Sequence, residues 1–85
     1  MTKDEATALL AAALHGIAPE VDLAAIDPGM PLQEVAAMDS IDFLAVVKAI
    51  QARTGVEIPP RDYPKLATVQ LFVSYLMSTG RFRAF

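Results

Sequence analysis

The segment DSIDFLAVVKAIQARTG, residues 39–55, decides the fold of this 85-residue chain. Asp39 is a good helix N-cap, and Asp42 stands three residues later, where a carboxylate favours a helix start. Gly55 predicts a left-handed cap at the other end. We therefore predict a helix that begins at Ser40 and reaches Arg53. Its predicted apolar face contains Ile41, Leu44, Val47 and Ile50.

Two further helices flank this one. Thr2 and Glu5 form a capping-box pattern ahead of apolar residues at helical spacing, which predicts a first helix over about residues 3 to 15, with Gly16 as its stop. Thr68 predicts the cap of a last helix that ends near Gly80. The apolar stripe of that last helix is Val69, Phe72, Val73, Leu76 and Met77.

The connections carry prolines and apolar residues together. Residues 18–38 predict a long packed loop, with a short helical turn at Leu32 to Ala36. A short fourth helical element follows between Pro60 and Leu66. Because Pro64 interrupts its hydrogen bonding, we expect it to span about one turn, or to start elsewhere, and to be mobile. The predicted fold is all-α, a small bundle of three main helices plus this element.

Composition narrows the class of protein. The chain has no Cys and a single His, so it offers neither a disulfide framework nor a thiolate or histidine-rich metal site. A net charge of −3 argues against a nucleic-acid partner, and no apolar run approaches the roughly 20 residues of a membrane span. The N-terminus lacks a secretory signal pattern, so we expect a cytoplasmic monomer. Residues 1–80 form one predicted domain, and residues 81–85 a flexible tail.

Three segments carry a family resemblance. Met38-Asp39-Ser40-Ile41-Asp42-Phe43-Leu44 resembles the Asp-Ser-Leu attachment motif of the acyl carrier protein family, with Ile in place of Leu. The segment Gly55-Val56-Glu57-Ile58-Pro59 resembles the stretch after that family's second helix. Ala67-Thr68-Val69-Gln70 is similar to the start of its last helix. The register needs no gaps from Ser40 to Leu76, and with the looser agreement before it the resemblance covers nearly the whole chain.

The resemblance implies a carrier that is not an enzyme. A phosphopantetheinyl transferase would move 4'-phosphopantetheine from coenzyme A to Ser40, while Asp39 completes the motif and caps the helix. The arm would carry acyl groups as thioesters between acyl-transfer or acyl-synthesising enzymes of lipid, fatty acid or polyketide-type biosynthesis. A serine in the first turn of a helix suits this role, because a phosphodiester there meets unpaired N–H groups and the positive end of the helix dipole.

Two sets of residues follow from the resemblance. The family shelters acyl chains between its second helix and later elements, and the candidate lining residues here also suit an ordinary core: Leu44, Val47, Ile50, Ile58, Leu66, Val69 and Phe72. Enzymes of the family dock on the helix after the serine. The candidate docking residues are Asp39, Ile41, Asp42, Ala45 and Lys48.

The charge pattern of the docking helix differs from that of fatty acid synthesis carriers. Those carriers present several Glu residues there, whereas this helix continues after Asp42 with Lys48 and Arg53. We therefore expect a specialised carrier, unless Glu57 and Asp62 supply the missing acidity. Two other functions stay open: a carrier of D-alanyl, aminoacyl or peptidyl cargo, and a helical adaptor that carries no prosthetic group.

Overall fold

The computed structural model describes residues 2–35 and 38–80, with the backbone alone for Val35, Thr79 and Gly80. The predicted tail 81–85 lies outside the described residues. The chain folds into helices with no strand in its described part, which confirms the all-α prediction. The elements are α1 (Lys3–Ile17), α2 (Leu32–Val35), α3 (Ser40–Thr54), a 3₁₀ helix (Pro60–Leu66) and α4 (Val69–Gly80).

α1 begins as predicted and ends later than predicted. The Thr2 hydroxyl accepts from the Glu5 amide at 3.1 Å, and the Glu5 carboxylate accepts from the Thr2 amide at 2.8 Å, so the capping box is present. The prediction that Gly16 stops the helix is wrong. Gly16 is helical, Ile17 after it packs against the core, and the chain leaves the helix only at Ala18.

α3 begins at Ser40 as predicted, and its final residue is Thr54. The Asp39 carboxylate accepts from the Asp42 amide at 2.8 Å, and Gly55 closes the helix in the left-handed region with φ 73°. The left-handed region is strained for residues with a Cβ, so glycine suits this cap.

The predicted apolar face of α3 is wrong in its first half. Ile41 is 76% exposed and Leu44 is 38% exposed. Positions spaced by three drift around a helix of 3.6 residues per turn, so Ile41 and Ile50 lie on opposite sides. The face that packs inward is Phe43, Val46, Val47 and Ile50.

The core joins the three long helices. α1 contacts both α3 and α4, and α4 also contacts the 3₁₀ helix. Every helix contributes to the largest fully buried side chains, and α2 does so through Leu32. These side chains are Phe72, Leu10, Leu14, Leu32, Ile50, Leu66, Leu76, Val46 and Val47. No helix in the described ranges is long and apolar enough to cross a bilayer.

The loop between α1 and α3 is attached to the start of α4 by its backbone. Pro31 forms an isolated antiparallel bridge with Thr68, where the Leu32 amide donates to the Ala67 carbonyl at 2.7 Å. The Gln70 amide donates to the Pro28 carbonyl at 3.0 Å. These bonds, together with buried Leu32, hold the predicted packed loop in place.

The 3₁₀ helix occupies Pro60–Leu66, as predicted for the fourth helical element, but it has more turns than expected. It spans seven residues with Pro64 inside it, so the prediction of about one turn is wrong. Pro64 removes a single N–H donor, while Leu66 is fully buried and anchors the end of the element. Its expected mobility stays a prediction.

Candidate functional site

Ser40 is exposed at the first residue of α3. The Asp39 carboxylate satisfies the Asp42 amide, and the Phe43 amide donates to the Asp39 carbonyl at 3.0 Å. The amides of Ser40 and Ile41 belong to the turn in which an α-helix leaves N–H groups without intrahelical acceptors. An anion attached to the Ser40 Oγ would therefore meet backbone donors and the positive end of the helix dipole.

A groove of about 420 Å³ opens beside Ser40. One side is α3, the other is the 3₁₀ helix, and the α1–α3 loop closes one end. Most of the lining is apolar, and the residues with polar side-chain groups are Gln33, Ser40 and Tyr63. The lining residues are Pro31, Gln33, Ser40, Phe43, Leu44, Tyr63, Pro64 and Ala67.

Two aromatic rings meet across this groove. The Phe43 and Tyr63 ring centroids are 5.8 Å apart with the planes at 79°, an edge-to-face arrangement that the aromatic quadrupole favours. Phe43 is only 9% exposed, and half-buried Tyr63 packs against the core. The pair joins α3 to the 3₁₀ helix next to Ser40.

Polar contacts fix the 3₁₀ helix on its far side. The Tyr75 hydroxyl donates to the Asp62 carboxylate at 2.8 Å, and the Lys65 ammonium lies 3.4 Å from the other Asp62 oxygen. The hydrogen bond from Tyr75, aided by the Lys65 charge, lowers the pKa of Asp62. Just before the helix, the Ile58 amide donates to the Gln51 side-chain oxygen at 2.8 Å. The 3₁₀ helix is therefore bonded to α4, and the segment that leads into it is bonded to α3.

The predicted docking residues lie together on the start and outer side of α3. Asp39 and Lys48 are exposed, and Asp42 and Ala45 are half-buried. Ile41 is the most exposed large apolar residue among those that the structure describes. Ile41, Ala45 and Lys48 follow one another at spacings of four and three, so they share a face.

The predicted acyl-lining residues separate into three groups, and Val69 belongs both to a cavity and to the core. Leu44 lines the groove beside Ser40. Val69 lines a different cavity, between α4 and the loop that follows α1. The other five belong to the packed core: Val47, Ile50, Ile58, Leu66 and Phe72.

Sequence reasoning missed the groove residues Phe43 and Tyr63. Phe43 stands three residues after Ser40, a helical spacing that places both on neighbouring positions of one face. This spacing alone would have indicated Phe43 as a neighbour of Ser40. Tyr63 reaches the groove only because the 3₁₀ helix folds back onto α3, and no local pattern indicates this contact.

The fold and the exposed serine define a small helical carrier module. Residues 8–76 match the family model described as phosphopantetheine attachment site, so the chain belongs to this family. Its cofactor is 4'-phosphopantetheine, and the protein is a phosphopantetheine-carrying carrier. The exposed hydroxyl, the helix start and the open groove fit this group. No curated protein gives a match to the chain.

Proposed function

We propose that the protein is an acyl carrier whose arm is attached to Ser40. The observation that carries this proposal is the exposed position of Ser40 at the capped start of α3, within the family motif and at the mouth of an open groove. A transferase can reach such a hydroxyl without unfolding the bundle. We propose no catalytic centre in the carrier itself, because the reactive chemistry belongs to the attached thiol.

The attachment is a group transfer from coenzyme A. The Ser40 Oγ forms a bond to the phosphorus that bears pantetheine, the pyrophosphate P–O bond breaks, and adenosine 3',5'-bisphosphate leaves. The serine proton passes to a base of the transferase. The arm's thiol then holds acyl groups as thioesters, while this chain presents the arm and positions it for partner enzymes.

Intact-mass measurement tests the attachment. Incubation with coenzyme A and a broad-specificity transferase should add one phosphopantetheinyl group to the native protein. Ser40→Ala should abolish the addition, because it removes the Oγ, and should leave the helical circular dichroism unchanged. Ser74→Ala is the matched control, since Ser74 is also exposed on a helix and should leave modification intact. A native protein that several transferases leave unmodified would contradict the proposal and favour the unmodified adaptor.

The proposed cargo is an acyl group, and the proposed pathway is one of lipid, fatty acid or polyketide-type biosynthesis. Loading the modified protein from cell extract, followed by mass spectrometry of the released group, identifies the cargo. A D-alanyl, aminoacyl or peptidyl group in that measurement would replace the acyl assignment and leave the attachment at Ser40 standing.

Partner enzymes are proposed to dock on Asp39, Ile41, Asp42, Ala45 and Lys48. The exposed Ile41 supports an apolar contact at the centre of this surface. Fatty acid synthesis carriers present acidic residues on this helix, whereas Lys48 gives it a positive charge. This difference favours partners other than general fatty acid synthesis enzymes. Asp62 is a poor substitute for the missing acidity, because Tyr75 and Lys65 already engage its carboxylate.

Acyl transfer by a general malonyl transferase and elongation enzyme tests this partner choice. The native carrier should be a poor substrate, and the combined variant Ala45→Glu, Lys48→Glu and Arg53→Glu should improve it, most at low salt. Equal activity of the native protein and a housekeeping carrier, with no gain in the variant, would contradict the specialised role.

A further inference from the structure

The groove gives an arm on Ser40 a defined first contact. Leu44 lies four residues after Ser40 and Phe43 lies three after it, so both stand one helical turn from the attachment point. Leu44 is 38% exposed, while Phe43 is 9% exposed. A phosphopantetheine arm that leaves Ser40 along this groove therefore passes over Leu44 and meets the Phe43 ring.

Both rings of the aromatic pair line the groove and also contact the packed core. Val47 follows Phe43 by one turn of α3, and Leu66 follows Tyr63 by one turn of the 3₁₀ helix. Val47 is 1% exposed and Leu66 is 0% exposed. Neither Val47 nor Leu66 lines the groove, whereas both rings do.

Hydrogen bonds before, within and after the 3₁₀ helix hold this wall of the groove. The Gln51–Ile58 bond precedes it, the Tyr75–Asp62 bond holds its middle, and the bond from the Leu32 amide to the Ala67 carbonyl follows its end. The buried Leu66 side chain adds an apolar anchor. Outward movement of this wall would disturb these contacts together.

We infer that the Phe43–Tyr63 pair closes the path from Ser40 into the core, which makes these two residues determinants of cargo. This inference rests on the proposed attachment of the arm at Ser40. The cargo it assigns is a short or compact acyl group, sheltered in the surface groove. That groove, at about 420 Å³, lies near the lower end of the range of about 300–1,000 Å³ for ligand pockets. The outer part of a longer chain stays in solvent.

Methyl NMR of the loaded native protein tests the inference. Butyryl, octanoyl and dodecanoyl arms are attached in turn, and intact mass first confirms each load. The Leu44 methyl signals should shift with all three chains, because Leu44 lines the groove. The Val47 and Leu66 signals should keep the same positions with all three chains. Shifts at Val47 and Leu66 that grow with chain length in the native protein would overturn the inference.

Removal of the Tyr63 ring should open the path. In Tyr63→Ala, dodecanoyl should shift the Val47 and Leu66 methyl signals more than butyryl does. Tyr63→Leu serves the same purpose if the alanine variant does not fold. Leu71→Ala is the control, because Leu71 is a half-exposed apolar residue of α4 outside the groove, and it should behave as the native protein does.

The inference would also be overturned by a folded, loaded Tyr63 variant in which the Val47 and Leu66 methyl signals do not change with acyl chain length. The two proposals fail in different ways. Absence of the arm from the mass spectrum would contradict attachment at Ser40 and remove the basis of the inference. Attachment followed by burial of long chains in the native core would contradict the inference alone.

Discussion

The two walls of the groove are held by different means. α3 carries its own boundaries, with the Asp39 side chain at its start and left-handed Gly55 at its end. The 3₁₀ helix has no side-chain cap at its start and contains Pro64. Its position depends on contacts with α3, α4 and the core. One wall is therefore encoded locally, and the other is imposed by the rest of the fold.

The largest difference between the walls should appear when a tertiary anchor is removed. Leu66→Ala deletes a fully buried side chain, and such changes cost about 2–5 kcal/mol. The neighbouring Lys65→Ala removes only an exposed ion pair with Asp62, and such pairs contribute little to stability. Urea unfolding of both variants measures the difference. Equal losses would show that Leu66 is not the anchor of the 3₁₀ helix.

A smaller effect should follow from changing the local cap of α3. Gly55→Ala places a Cβ at φ 73°, where the left-handed conformation costs about 1–2 kcal/mol. Gly16→Ala is the matched control, because Gly16 is helical and an added Cβ there meets nothing within 4 Å. That control should keep or raise stability, by about 0.5–1 kcal/mol at most. Thermal melts that rank the two variants in the opposite order would contradict the local origin of the α3 boundary.

The smallest effect should come from the polar contact on the 3₁₀ helix. Its hydrogen bond from Tyr75 lowers the pKa of Asp62, so folding favours the ionised carboxylate. This contribution is present above the ordinary pKa of an aspartate and is lost as pH falls through the lower folded pKa, below about pH 4. Tyr75→Phe should therefore reduce stability at neutral pH, and the difference from the native protein should shrink in acid.

Hydrogen exchange distinguishes a local loosening of the 3₁₀ helix in Tyr75→Phe from a loss of stability throughout the protein. The amides of the 3₁₀ helix should exchange faster than those of α3 in the native protein, and Tyr75→Phe should accelerate the former selectively. Equal protection of the two walls in the native protein would contradict the comparison, and so would an equal acceleration of both.

The same distinction explains what could be predicted from the sequence. The start of α3 at Ser40 and its glycine cap follow from residues within one turn of each boundary, and these predictions are confirmed. The predicted apolar face of α3 failed at Ile41 because residues spaced by three drift around a helix, so Ile41 and Ile50 cannot share one face. Packing against α1 decides which side of α3 faces the core.

The groove required tertiary information as well. Tyr63 lies twenty-three positions after Ser40 in the chain and becomes its neighbour across a groove only when the 3₁₀ helix packs back. The length of that element was also underestimated, because the proline rule considers the lost donor and not the buried Leu66 that holds the end.

The backbone attachment of the long loop bears on how this protein could be redesigned. Main-chain bonds at Pro28, Leu32 and Ala67 hold the loop without using polar side chains, so they tolerate changes in its exposed residues. Gln33 and Glu34 are both exposed, and Gln33 lines the groove beside Ser40. Substitutions at these two positions could therefore give the surface beside Ser40 new binding contacts while the helical bundle beneath stays unchanged.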